Sequence, residues 1–402
     1  MLKLGLIKEG KTPPDNRVAL TPKQCKWLQE NHPVEVYAQS SPTRCFSDAE
    51  YNRAGVKVVD DVSHCDLLLG IKEVPYDQII AGKTYMIFSH TCKLQPYNRR
   101  MMQTFLAKNC TLIDYERLRH EDGQRIIGFG FFAGVVGAHN GLMIYGQKTG
   151  TFSLDRVHKQ KDFKELVHTY FGLKLPNLKV AVTGSGRVAH GIVEIMNLAG
   201  VIEVEKEEYL EREFSYPVYV QLKGSDLYRN KKTGGYNRDE FHDHPERYEC
   251  LFPNYISSTD LLINGIYWDN DVPRLFEKEA VSQPDFRIKV IADITDDSYG
   301  SVPINYGDQS IDDPVYGVDK KMFEKTAPYL PETVDVMAVG NLPNELPRDA
   351  SRYFGEQLMK YILPDLLSGS SPIVSSATLV KDGKLQPEYD FLKSYAEDPL
   401  PS

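Results

Sequence analysis

The chain has no C-x-x-C pair. Its six cysteines, Cys25, Cys45, Cys65, Cys92, Cys110 and Cys250, are scattered through 402 residues, which excludes a zinc ribbon or a disulfide framework and fits reduced thiols. A basic stripe is also missing. Lys and Arg number 47 against 56 Asp and Glu, for a net charge of -9. A polyanion would find no footprint, so nucleic acid is excluded as the main partner and a small molecule is expected. The N-terminal stretch MLKLGLIKEGKTPPDNR turns polar too early for the apolar core of a signal peptide and reads as a first strand. A cytoplasmic protein is expected. No repeat at solenoid spacing is present.

One run tests the absence of a membrane span. GFGFFAGVVGAHNGLMIYG, residues 128 to 146, is nearly uncharged and about as long as a bilayer-crossing helix. His139 and Asn140 interrupt it, and its small residues suit close backbone approach, so it reads as a buried helix linking two domains. No membrane association is expected.

With 41% hydrophobic and 26% charged residues, the composition is that of a globular protein long enough for two domains. The runs KLGLI, VEVYAQ, VKVVD, DLLLGIK, TYMIFSH and CTLIDYERL alternate with helix-like segments such as TPKQCKWLQEN and QPYNRRMMQTFLAKN. That alternation predicts βαβ units around a mostly parallel sheet. A second series, LKVAV, PVYVQL, DLLING, RIKVIADI and VDVMAVG, predicts a second α/β domain. The expected architecture is two Rossmann-like doubly wound domains with a cleft between them. Residues 1–130 with a returning helical tail, 345–402, form one, and 131–344 form the other. A polar and aromatic insertion at about 223–258 is too long for a simple connection and reads as a functional flap.

TGSGRVAHG supplies Gly184-x-Gly186-x-x-Ala189 directly after LKVAV and before an apolar-periodic helix. Glycines there permit a tight turn and close approach of backbone to a pyrophosphate, and the helix start offers free N–H groups. About twenty residues on, VIEVEKEEYL offers Glu203 or Glu205 to a ribose hydroxyl, which favours NAD over NADP. Arg187 follows the turn and either meets a phosphate or faces solvent.

FSHTCKLQ, residues 88 to 95, closes one apolar run, and DLLLGIKEVP closes the run before it. In a parallel sheet the carboxyl ends of strands converge on one crevice, which brings Lys72 and His90 together. His90 and Cys92 have no third or fourth ligand nearby, so no metal is expected. A structural His beside a solvated Lys is the bland alternative.

Several stretches, in order along nearly the whole chain, make the sequence similar to a known family. They are RVALTP, LLLGIKEVP, FSHTCKLQ, LIDYERL with GQRIIGFGFFAGVVGA, HPERYECLF, LLINGIYWDNDVPRLF, IADITDD and NLPNELPRDAS. The chain resembles the alanine dehydrogenase and pyridine-nucleotide transhydrogenase superfamily, within it the lysine-forming saccharopine dehydrogenases and the lysine–ketoglutarate reductases. The resemblance implies an NAD-dependent oxidoreductase of lysine metabolism, with NADP as an alternative, acting on saccharopine, lysine and 2-oxoglutarate. It implies Lys72 and His90 as the acid/base pair, with Glu73 and Glu116 tuning them. Arg17, Arg125, Gln95 and Asp297 match substrate positions. Phe129, Gly184, Gly186, Arg187, Glu205, Tyr267, Ile294, Gly340, Asn341 and Leu342 match cofactor positions. Two departures stand out. Gly340 replaces an acidic residue common in the family, and the insertion with HPERYECLF is like the reductase branch. The reductive direction with NADPH, another amino-acid dehydrogenase or opine-type activity, and a non-catalytic nucleotide sensor are the competing functions, the sensor disfavoured by the acid/base pair.

Overall fold

The computed structural model describes residues 1–397 except 308 and 370; residues 398–402, the end of the expected returning tail, lie outside the described residues. The chain divides into two compact units, Met1–Phe129 with Pro347 onward, and Gly130–Leu346.

The first unit is built on strands β1 (Leu2–Leu6), β2 (Val34–Gln39), β3 (Lys57–Val59), β4 (Leu67–Leu69), β5 (Thr84–Ile87) and β6 (Thr111–Asp114). The second contributes β7 (Lys179–Thr183), β8 (Ile202–Glu203), β9 (Val218–Leu222), β10 (Tyr228–Asn230), β11 (Tyr248–Cys250), β12 (Leu261–Asn264), β13 (Val290–Asp293), β14 (Val315–Asp319), β15 (Lys325–Thr326) and β16 (Thr333–Met337). Strands β17 (Thr378–Lys381) and β18 (Lys384–Leu385) return to the first unit. Its sheet has the order β18-β17-β6-β5-β4-β1-β2-β3, parallel except for β17 and β18 at one edge.

Alternation along these strands fills both faces. Leu4, Leu6, Val36, Leu67, Leu69 and Met86 pack with Phe354 and Leu358 of the helix Pro347–Tyr361. Leu68, Tyr85, Ile87 and Leu112 pack with Met101, Met102 and Phe105 of the helix Arg99–Ala107. A sheet covered on both sides exposes only its strand ends to ligands, so polar side chains collect there. The helix Pro22–Asn31 starts by reciprocal capping: Thr21 Oγ1 accepts from the Gln24 N–H, and Gln24 Oε1 accepts from the Thr21 N–H.

In the second unit the sheet order is β15-β14-β16-β13-β12-β7-β9-β8, with β14 and β15 antiparallel at one edge. Both units are therefore Rossmann-like α/β layers. In that order β9 lies beside β7, and the short β8 stands at the edge. The insertion also differs from the expected polar flap. Its strands β10 and β11 pair antiparallel, and Tyr228, Phe241 and Tyr248 are buried in the unit's core. Aromatic residues spaced through a polar segment give that segment its own apolar face.

The run 128–146 forms the helix Gly130–Thr149, and none of the helices searched is long and apolar enough to cross a membrane. Its two buried polar residues are bonded: His139 Nδ1 to the Tyr170 hydroxyl at 2.7 Å, His139 Nε2 to the Asp155 carbonyl at 2.8 Å, and Asn140 Nδ2 to Glu345 Oε1 at 2.9 Å. Its glycines bring it against the helix Arg187–Leu198. A Cβ on Gly134 would stand 2.0 Å from the Val188 carbonyl oxygen, and one on Gly191 2.0 Å from that of Phe131. Neither contact yields to a side-chain rotation, because the obstacle is backbone. Gly134→Ala and Gly191→Ala should each lower stability by at least about 1–3 kcal/mol, the usual cost of overpacking, read as a reduced urea midpoint; an unchanged midpoint contradicts this helix crossing.

Candidate active site

Strands β1, β4 and β5 are adjacent in the first sheet, and their carboxyl ends carry a cluster of ionisable side chains. Lys72 lies just past β4 and His90 just past β5. Glu73, buried to 7% exposure, is bonded by His90 and by Lys11. His90 Nδ1 lies 2.7 Å from Glu73 Oε1, and Lys11 Nζ, from the segment after β1, donates to Glu73 Oε2 at 2.9 Å. Burial opposes ionisation of Glu73, but the His90 and Lys11 bonds outweigh it and hold the carboxyl well below the usual carboxylate range.

His90 occupies the left-handed region, with φ of +52°, and Leu94 in the same loop has φ of +54°. A leucine in that region is strained, and such strain persists only where surrounding contacts fix it. One of those contacts comes from the chain's far end: the Tyr395 hydroxyl donates to the Gln95 carbonyl at 2.7 Å. Gln95 Oε1 accepts from the Tyr97 hydroxyl.

The Lys72 amine is pushed down to about 8, first by burial and then by the Arg17 charge. Its backbone is held by Glu9, whose carboxyl oxygens accept from the Ile71 N–H at 2.6 Å and the Lys72 N–H at 2.9 Å. Burial and the neighbouring Asp15 charge raise the Glu9 carboxyl to about 8. Asp114, past which Glu116 lies, is raised by burial to about 6 while accepting from the Ser89 hydroxyl and the Glu116 N–H.

The expected substrate and cofactor residues of this region differ in what surrounds them. Arg17 is only 3% exposed, and its Nε and Nη2 edge is already bonded to Asp15 at 2.9 and 2.5 Å. That edge is spent, so a two-point clamp on a substrate carboxylate does not come from it. Arg125, 40% exposed, donates to Glu116 at 3.2 Å and is the more accessible of the two. Phe129 has one ring face under the Arg17 guanidinium at 4.1 Å and stacks on Phe354 at 4.6 Å, so its ring is a shelf for Arg17. Asp297 lies in the second unit, exposed, past β13, unlike the other substrate positions.

The second unit carries the glycine turn between β7 and the helix Arg187–Leu198. Gly184 has φ of +105° and a Cβ there would meet the Gly265 carbonyl oxygen at 2.7 Å, so this position needs glycine for the turn itself. Gly186 is different. It is the N-cap of the helix, no side chain caps the helix start, and nothing lies within 4 Å of where its Cβ would be. Uncapped N–H groups facing open space at a strand–turn–helix suit a dinucleotide pyrophosphate. Arg187 is the first helical residue and half-buried. Gln221 of β9 donates to the Gly184 carbonyl at 2.9 Å and braces the turn.

The residues expected at the ribose lie on and just after the edge strand β8. Glu205 is the N-cap residue of the helix Lys206–Glu211 after the edge strand β8, and Glu203 accepts from the Tyr219 hydroxyl. The strand beside β7 is β9, and Lys223 directly follows it. Other cofactor positions divide. Tyr267 is 76% exposed after β12. Ile294 and Leu342 are buried and face the long helix: a Cβ on Gly137 would collide with Ile294 and lie 3.3 Å from Leu342. Asn341 is the N-cap residue of the short 3-10 turn Leu342–Glu345. Gly340 lies against Asp296, whose Oδ2 is 2.6 Å from the Cβ position of residue 340.

Sequence reading missed Glu9, Lys11 and Asp15, although they follow β1 as Lys72 follows β4, and the strand-end rule that singled out Lys72 applies to them equally. It also missed the buried network joining the ends of β7, β12 and β13: Thr183 donates to Asn264, Asn264 to Asp293, and Asn305 to Asp293, at 2.6 to 2.8 Å. No group of three His, Cys, Asp or Glu suited to a metal occurs among the described residues.

Residues 5–136 match the family model described as "Alanine dehydrogenase/PNT, N-terminal domain". Similar curated proteins include the mouse "Alpha-aminoadipic semialdehyde synthase, mitochondrial", 29% identical across 98% of this chain and 48% of the mouse protein. The chain spans about half the length of that relative. The "Saccharopine dehydrogenase [NAD(+), L-lysine-forming]" of Yarrowia lipolytica is 26% identical across 95% of this chain and 97% of its own. Among solved structures, an L-alanine dehydrogenase superposes with a TM-score of 0.64 at 17% identity, covering 98% of this chain and 99% of that one. A transhydrogenase from Sinorhizobium meliloti gives 0.58 at 14%, covering 96% and 99%. These two show the fold.

Two outcomes test the site's local physics. Labelling of Lys72 by an amine reagent, followed by peptide mass spectrometry, should rise with pH and level off near 8, whereas surface lysines keep rising toward their ordinary value of 10.5; a Lys72 rate still climbing above pH 9 contradicts the lowered amine. Gly186→Leu should fold normally yet lose dinucleotide binding by calorimetry, since its side chain enters only open space. Retained binding contradicts the pyrophosphate site.

Proposed function

We propose that the chain is a nicotinamide-dependent oxidoreductase that interconverts saccharopine with L-lysine and 2-oxoglutarate. The observation that carries this reading is the Lys72, Glu73 and His90 cluster at adjacent strand ends, in a chain that also has a strand–turn–helix suited to a dinucleotide. The printed name of the Yarrowia relative, which matches over nearly its whole length, supports the substrate.

In the lysine-forming direction a secondary amine is oxidised to an imine, and water then cleaves the imine to lysine and 2-oxoglutarate. The bound nicotinamide supplies the hydride acceptor. The chain's own residues move protons. Neutral Lys72, available in quantity near pH 8, takes the proton of the secondary amine and later assists attack of water. His90, held by the Glu73 carboxylate, protonates the departing amine. Ionised Glu73 keeps the imidazole oriented. Arg125 offers its exposed guanidinium to a substrate carboxylate, Arg17 adds positive charge from its buried pair with Asp15, and Gln95 presents its side chain from the same loop as His90.

A second reading of the cofactor rests on Lys223. A cation, rather than an acid, ends the strand beside the glycine turn, and the nearby Asp226 already bonds the Lys223 N–H and the Lys206 ammonium. A lysine there favours a ribose 2′-phosphate, hence NADPH and the reductive direction. Titration of NADH and NADPH into the protein decides between the two.

The test is a panel of amino acids and 2-oxo acids with NADH and NADPH, followed by nicotinamide absorbance. Turnover with lysine and 2-oxoglutarate is expected; turnover only with pyruvate and ammonia, or none with any pair, contradicts the reading. Lys72→Met and His90→Gln should each lower turnover by about 10²- to 10⁴-fold with dinucleotide binding kept. The double variant should lose less than the product of the two, because the pair acts as a unit.

A further inference from the structure

Strands β13 and β16 are neighbours, and short loops follow their carboxyl ends. In the first loop Asp296, half-buried, is held at φ of +55°, a left-handed conformation uncommon for a residue with a side chain. In the second is Gly340. Its φ is not among the positive values, so its backbone does not call for glycine. What calls for glycine is space: a Cβ at 340 would stand 2.6 Å from Asp296 Oδ2, the nearest atom to it. The carboxylate fills the volume that any side chain at 340 would claim. A strained backbone on one loop and a glycine on the other thus serve one result, a carboxylate over the ends of β13 and β16.

Its place in the sheet says what it meets. The pyrophosphate turn follows β7, the adenosine side lies toward β9, and the other half of a dinucleotide extends over β12, β13 and β16. Two to three strands at about 4.8 Å each put the Asp296 carboxylate roughly 10–14 Å from β7, a span that reaches the nicotinamide riboside and not the pyrophosphate. An ionised carboxylate only accepts hydrogen bonds, and ribose hydroxyls donate them. We propose that Asp296, admitted by Gly340, accepts hydrogen bonds from the ribose hydroxyls of the nicotinamide half of a bound dinucleotide. The proposal rests on the dinucleotide reading of the glycine turn.

Calorimetric titration of NADH and of ADP into the full chain tests both separately. ADP lacks the nicotinamide riboside and reports only on the turn and the adenosine side. Asp296→Asn should weaken NADH about tenfold or more, as for other hydrogen bonds to a charged group, with ADP unchanged. Gly340→Ala should do the same, because the new Cβ displaces the carboxylate while Asp296 remains. Asp296→Ala with Gly340→Asp, which moves the acid across the gap, should recover much of the NADH affinity. Normal NADH binding by both single variants, or equal losses for NADH and ADP, overturns the proposal. Wild-type protein that binds neither ligand overturns the dinucleotide reading first and the proposal with it.

Discussion

A single buried carboxylate organises the first unit's chemistry. Glu73 sits at the end of β4, where the sheet is covered on both faces and only strand ends meet solvent, and it remains ionised because His90 and Lys11 both bond it. A buried carboxylate without those partners would take up a proton. Because it stays charged, it draws the His90 ring into a fixed orientation and offsets part of the positive charge that Arg17 and Lys11 place around Lys72. The amine is therefore neutral at a useful pH without being driven far below it. Glu9, through the backbone N–H groups of Ile71 and Lys72, keeps the strand end itself in place.

The second unit solves a different problem, the close approach of backbone to an extended anionic ligand. Gly184 makes the turn, Gly186 leaves the helix start open, and Gln221 braces the turn from the next strand. Below them, the Thr183, Asn264, Asp293 and Asn305 network ties three strand ends together and satisfies polar groups that burial would otherwise penalise. Binding groups on loops are held by rigid strands.

Much of this was legible in the chain. Apolar runs of strand length predicted β1 to β7, β9, β12, β13 and β16 but not β8, β14, β15 or the returning β17 and β18, in a tail that read as helical; the glycine turn between LKVAV and an apolar-periodic helix was readable because turn, close approach and helix start each constrain residue type. The ribose position was not. Counting twenty residues from the turn leads to Glu203 and Glu205, and nothing in VIEVEKEEYL reveals that β8 goes to the edge and that β9 takes the place beside β7. Strand order is set by long-range packing, which local pattern does not encode. Similarly, the sequence places Arg17 only by resemblance to a substrate position, and nothing in it shows that Asp15, two residues earlier, holds the guanidinium. The aromatic spacing in the insertion carried its burial, but the surrounding Lys, Asp and Asn obscured it.

The central claim is that Glu73 is a common counter-charge for His90 and Lys72, and the titration of Lys72 in Glu73→Gln tests it directly. The glutamine keeps the shape of the carboxylate and removes its charge. With the charge gone, Asp15 is left to favour the ammonium without Glu73, so Lys72 should lose its proton more easily, and its midpoint, followed by nitrogen NMR of labelled lysine, should fall below the value of about 8 expected for the native chain. A midpoint that stays where it was, or moves upward, would contradict the account.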